Sequence, residues 1–335
     1  MPKLPARNAY FVHTAVWEFN SALTLISLWP LYFEVLKLTL VDVALLQSVI
    51  LISNIVLEIP TGVIADVYSR RLSVITGRLF VGLAYVLMGI FPVFGVMLFA
   101  GFVEAIGDTC VNGALEAWLT DEVGSDAVGD VILRGGQIAA PAHWLGVVLS
   151  IALAALFNYQ LPIVLGGLSW FALALFLVAF MPETNFVRRS PGVSGAFNGK
   201  HLLGQFRDAA HTFTQGLALV RASRALTLLF IARSLSGAFG GVFYTFSRDH
   251  ILNGLGLPVV IAPVLGQLKD NVWFGLLEML QKCFSWLAPL RCGGSSGWTG
   301  RSRQRGPCSS CMPRCYRRCS CSRSVVMWGL RLQPG

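Results

Sequence analysis

Charge is what this sequence has little of. Only 13% of its 335 residues are Asp, Glu, Lys or Arg, against about a quarter in an ordinary soluble domain. Apolar residues make up 55%, and the mean hydropathy is +0.64. With so few charges there is little to face water, and the composition points to an integral membrane protein. Catalytic signatures are also missing. There is no phosphate-cradling glycine loop, no nucleophile paired with a base and no convincing metal-ligand set. The sequence therefore implies no enzyme, no cofactor and no metal. The first apolar run is too long for a signal core and lacks a small-residue cleavage site, so it reads as a spanning helix.

The last 45 residues lack Lys, Asp, Glu and His altogether. They hold nine arginines and six of the eight cysteines. Those arginines account for the whole net charge of +9, since the rest of the chain balances 17 basic against 17 acidic residues. Cys308, Cys311, Cys315, Cys319 and Cys321 include a C-x2-C step. A zinc site wants two ligand pairs about a dozen residues apart, and these cysteines are crowded with no second pair. A basic arm for nucleic acid or anionic lipid is a second reading. The composition is also that of GC-rich DNA translated out of frame, and this is the expectation carried for 291–335.

What is present is a series of long apolar runs. A spanning helix needs about 20 apolar residues to cross roughly 30 Å of hydrocarbon. Runs of that kind lie at 9–33, 41–65, 72–94, 96–118, 132–157 and 161–181. A seventh follows at 225–246, and an eighth at 271–290 is interrupted by Glu278, Gln281 and Lys282. Basic residues collect after the second run (Arg70, Arg71, Arg78) and in the polar stretch after the sixth (Arg188, Arg189, Lys200, Arg207, Arg221, Arg224). Loops rich in Lys and Arg stay cytoplasmic. All of them fall on one side if the N-terminus is cytoplasmic, and a bacterial inner (plasma) membrane is the expected location.

The expected fold is an all-α polytopic bundle. Six spans, a polar linker and further spans read as one complete half of a repeat-built transporter plus part of a second. The boundaries are 1–182 for the six-helix half, 183–224 for a cytoplasmic linker, 225–290 for the partial second half and 291–335 for the tail. One undivided bundle of eight helices is the alternative.

"GVIADVYSRR", between the second and third runs, resembles the signature loop of the major facilitator superfamily. Gly62, Asp66, Arg70 and Arg71 match that signature; Val67 and Ser69 stand where a basic residue and a glycine are usual. "NGALEAWLTDE" at the end of span four and "FMPETNF" at the exit of span six resemble the same superfamily. The resemblance covers about residues 1–290. It implies alternating-access transport, with the loop as a latch between two halves. Read from the residues, Gly62 allows close helix approach, Asp66 sits where a helix end favours an anion, and Arg70 and Arg71 pin the loop to the cytoplasm. The bland alternative is that the arginines only set topology.

Ionisable residues in membrane spans usually face a bundle interior or a wet cavity. Span four carries Glu104, Asp108, Asn112 and Glu116 at four-residue spacing, along one face of a continuous helix. Glu104 and Asp108 are candidates for proton or substrate linkage, or for helix–helix hydrogen bonding without transport. The family often has an arginine in this region of span four; this chain has acids. Glu116 and Asp121 are expected near Arg70 or Arg71. Span one offers Glu18 and Asn20, with His13 read as interfacial. Glu58 of span two is a further candidate, as is His143 of span five, a residue type that titrates near neutral pH. The expected function is secondary transport of a small solute, with proton-coupled efflux of amphipathic compounds leading. The expected partners are membrane lipid, the solute and protons, with no nucleic acid. The alternative is a truncated, transport-inactive membrane protein, either a remnant or an interaction subunit.

Overall fold

Proline, threonine and serine set the first helix boundaries. In a computed structural model, which describes residues 3–186, 214–215, 218–232, 234–235 and 269–293, helix α1 (Ala6–Pro30) begins directly after Pro5. It ends at Pro30, which has no N–H to continue the ladder. The chain passes into a π-helical turn, Leu31–Val35, closed by Leu36 N–H donating to Leu31 O at 2.9 Å. Thr39 then starts α2 (Leu40–Val67) with a reciprocal cap: its hydroxyl accepts from Asp42 N–H at 3.2 Å, and Asp42 accepts from Thr39 N–H at 2.9 Å. Ser69 caps α3 (Arg70–Ile90) by accepting from Leu72 N–H at 3.0 Å.

Next come α4 (Phe94–Val111), α5 (Ala114–Val123), α6 (Ser125–Leu156) and α7 (Gln160–Phe180). Residues 218–222 and 224–232 are helical, and α8 covers Lys269–Gly293. Among the described residues, five stretches are long and apolar enough to cross a membrane: Leu40–Glu58, Arg70–Ile90, Phe94–Val123, Ser125–Leu156 and Gln160–Phe180. Helix α1 is also long, at 25 residues, but carries His13, Glu18 and Asn20. The fold is an all-α polytopic membrane bundle.

Helix pairing has an internal symmetry. Helix α1 packs on α6 and α7, α3 packs on α4 and α7, and α2 packs on α4. Exchanging α1, α2, α3 for α4, α6, α7 maps this set of contacts onto itself. Three spans is an odd number, so the second triplet runs opposite to the first, the arrangement of inverted repeats. Close approach depends on glycine where α3 meets α4. A Cβ on Gly77 would lie 2.6 Å from Gly107 O, and one on Gly107 would lie 2.6 Å from Gly77 O. Small residues of this kind drive helix contact in lipid, where burial of apolar surface gives no advantage.

Large apolar side chains are exposed on the outside, as on α2 (Leu51, Ile52, Ile55, Val56) and α7 (Leu168, Leu175). Among the described residues, three buried apolar clusters fill the inside, the smallest around Ala22, Ile26 and Val147. Of the larger two, one gathers around Val74, Trp118, Trp170, Leu177 and Met181, the other around Trp29, Tyr32, Val43, Met88 and Met97. Residues Met1–Ala288 form one compact unit and Pro289–Gly335 a second. Cys308, Cys311, Cys315, Cys319 and Cys321 lie outside the described residues, as do most of the polar linker and the end of the seventh run.

Candidate functional site

Polar side chains gather at three places. The first is inside the bundle, around Arg78 of α3, which is 2% exposed. Its Nε donates to His13 Nε2 of α1 at 3.0 Å, and Nη1 lies 3.8 Å from Asp108 Oδ1 of α4. The guanidinium stacks against Trp17 at 4.8 Å and Trp170 at 4.6 Å, a favourable setting for a desolvated cation. One turn from Asp108 along α4, Glu104 Oε1 accepts from the Tyr85 hydroxyl at 2.9 Å. Asn20 accepts from Ser169 of α7. Among the described residues, His13 Nδ1, Arg78 Nη1 and Asn20 Nδ2 have no hydrogen-bond partner. A half-satisfied buried network is expensive unless it has a task.

The second place is a cavity of about 250 Å³ between α1, α6 and α8. Glu18 is its centre. Lys282 Nζ reaches both Glu18 oxygens at 2.6 Å, and His143 Nδ1 lies 3.2 Å from Glu18 Oε2. Trp17, Leu25 and Ile26 form an apolar wall.

The third is at the end of the bundle that carries Arg70 and Arg71. Arg70 pairs with Asp121 and donates to Ala117 O of α5 at 2.9 Å. Ser69 donates to Glu183 Oε2 at 2.7 Å, and Arg71 N–H donates to Glu183 Oε1 at 3.1 Å. Trp118 donates to Pro182 O at 2.6 Å, and Glu122 accepts from Thr184 and Asn185 N–H at 2.6 and 2.9 Å. Three stretches far apart in sequence, SRR, ALEAWLTDE and MPETNF, thus form one network.

No family model matches the chain. A protein of Bacillus subtilis (strain 168), described as the uncharacterized MFS-type transporter YxaM, is 23% identical over 232 residues. That alignment takes in 68% of this chain and 54% of the relative, so the chain spans about half the length of the curated relative it matches. The chain is thus similar to a transporter of the MFS type. A relative named as a transporter also supports a non-enzymatic role, and the apolar helices make this an integral membrane protein.

Several sequence expectations for this helix bundle need correction. The span-four stripe is interrupted: α4 ends at Val111, Asn112 turns to ψ 132°, and Gly113 takes φ 71°, a left-handed conformation suited to glycine. Glu104 and Asp108 keep their shared face, Asn112 is exposed at the break, and Glu116 sits exposed on the separate helix α5. Gly62 makes no close approach; among the described residues, a Cβ there would meet nothing within 4 Å. His13 is buried rather than interfacial, because it accepts from Arg78. Asp66 falls in the last turn of α2, and its side chain lies outside the described residues. Glu58 is exposed on α2, away from the three clusters.

Two basic residues went unrecognised as site candidates. The sequence groups Arg78 with the topology residues, although a base eight residues into an apolar helix is a usable signal. Lys282 reads there as an interruption of a weak span. Both now stand opposite acids that the sequence did single out. The cation facing the span-four acids comes from span three.

Proposed function

We propose that this chain is the solute-handling part of a secondary transporter of the MFS kind, moving a small amphipathic compound by alternating access with protons as the coupling ion. The carrying observation is the Arg78–Asp108 pair with Glu104 beside it, the arginine buried and both acids half-buried among apolar helices. Groups of this kind in a membrane are retained for ion or substrate pathways. Two carboxylates lie one helical turn apart with one guanidinium 3.8 Å from Asp108, so the site has an acid to spare for a proton or a solute. The network at the Arg70 and Arg71 end would hold one access state, with the N-terminus on the cytoplasmic face of a bacterial inner membrane.

Flux in reconstituted vesicles tests this reading. Two amphipathic probes of opposite charge, benzoate and tetraphenylphosphonium, are followed under an imposed pH gradient. Gradient-driven flux of either probe that falls at least tenfold in Glu104→Gln and Asp108→Asn supports it. Equal flux in all three proteins removes Glu104 and Asp108 from the mechanism. No flux of either probe favours a transport-inactive membrane protein.

A further inference from the structure

The Glu18 cavity has a chemistry distinct from the Arg78 cluster. Lys282 offers three N–H donors, and a two-oxygen acceptor occupies two of them. Both of the bonds described go to Glu18. The Lys282 side chain is nevertheless 30% exposed. Beside the pair, His143 Nε2 is buried without a partner among the described residues. The cavity is thus lined by a salt bridge whose acid comes from α1 and whose base comes from α8.

We propose that this cavity binds a small amphipathic carboxylate, which takes the ammonium of Lys282 from Glu18 as Glu18 takes up a proton. This deepens the transport reading and rests on it only in calling the ligand a transported solute. The exchange balances. One carboxylate enters, one proton from water joins Glu18, and the ion-pair count of the site stays at one. The new carboxyl group remains beside His143, whose Nδ1 Glu18 already faces at 3.2 Å.

A cation could not enter on equal terms. It would have to draw Glu18 from both Lys282 and His143 and leave the half-buried ammonium without its counter-ion. Breaking one side of a buried pair is the costly direction. An anion leaves no charge unpaired. Trp17, Leu25 and Ile26 would take the ligand's apolar body. At about 250 Å³ the space falls just below the roughly 300 Å³ where drug-sized sites begin, so the ligand is small.

The titratable groups around Glu18 are few. His143 faces it from α6, and Lys282 and Glu278 face it from α8. Helix α7 carries no charged residue, and no other ionisable group of α1 lines the cavity. Glu278 has an interaction of its own and is not assigned the exchange.

Calorimetric titration of the purified full chain in detergent micelles tests the proposal. The probes are benzoate, its neutral analogue benzamide and the cation benzylamine. Measurements are made at about pH 5.5 and about pH 8, which differ by a factor of roughly 300 in proton concentration. Benzoate is expected to bind at least about tenfold more tightly at the lower pH, and more tightly than either analogue. Lys282→Met is expected to abolish that binding while Lys282→Arg, which keeps the charge, retains it; the second variant keeps the test open if the first fails to fold. Glu18→Gln, which mimics the protonated acid, is expected to bind benzoate with little pH dependence. Tighter binding of benzylamine, unchanged benzoate affinity in a folded Lys282→Met, or no benzoate binding by folded wild type would overturn the proposal. Benzoate binding without vesicle flux would remove the transport reading and leave this one standing. Flux without Lys282-dependent binding would do the reverse.

Discussion

Arg78 Nε donates to His13 Nε2 at 3.0 Å, tying α3 to α1 where both side chains are almost fully buried. The same guanidinium has Asp108 of α4 3.8 Å away and an indole on each of α1 and α7. One side chain therefore links four helices.

That linkage predicts strong coupling. Arg78→Met strands Asp108, and Asp108→Asn strands Arg78. Truncating one side of a buried pair costs about 3–5 kcal/mol, and the partial exposure of Asp108, at 26%, places these substitutions nearer 2–3 kcal/mol. The double variant should be less destabilised than the sum of the two by about 1 kcal/mol or more. Thermal or denaturant unfolding in micelles measures this. Additive effects would mean that Asp108 is not the counter-ion.

A contrast between glycines is expected. Gly77→Ala and Gly107→Ala each place a methyl group 2.6 Å from a backbone oxygen, so α3 and α4 must separate. A loss of about 1–3 kcal/mol follows from overpacking of this kind. Gly62→Ala fills open space and should be neutral or stabilising by up to about 1 kcal/mol, the ordinary helix preference for alanine. Melting temperatures of the three variants decide. A severe loss at Gly62 would restore its close-packing role.

Ser69 and Glu183 should act together. Ser69 caps α3 and also donates to Glu183, which accepts from Arg71 N–H as well. Ser69→Ala removes the cap and one bond, a loss of about 1 kcal/mol for the cap alone. Glu183→Ala should lose a similar amount. In the double variant the shared bond is counted once, so the effects fall short of additivity. Full additivity in unfolding experiments would show that the bond between them contributes nothing.

Orientation is open to direct labelling. In a cysteine-free background, a cysteine at exposed Ser125, near the Arg70 and Arg71 end, should react with an impermeant thiol reagent only from the cytoplasmic side. One at exposed Asn158, one helix further on, should react only from the opposite side. The reverse pattern would invert the proposed topology.

Much of the architecture was legible in the chain because membranes impose a simple code. Apolar length marks a span, and arginine clusters mark a side. Helix α2 lies close to the 41–65 run and α7 close to 161–181. The loop, the ALEAW segment and the PET segment were each visible as motifs. Their union through Glu183, Trp118 and Glu122 was not, since no local rule relates residues more than sixty positions apart. The break at Asn112 and Gly113 was also missed. An apolar stretch shows the same period whether or not one glycine turns left-handed.

By itself the sequence determined that this protein lives in a membrane, which segments form apolar helices and which acids lie in their path. Hydrocarbon penalises exposed backbone and charge one segment at a time, so those properties are local. Only the tertiary structure decided that Arg78 answers Asp108, that Lys282 answers Glu18, and that Gly77 and Gly107 rather than Gly62 bring helices together. Such pairings depend on which faces the folded helices turn to one another, and a one-residue change in helix rotation moves a side chain by about 100°.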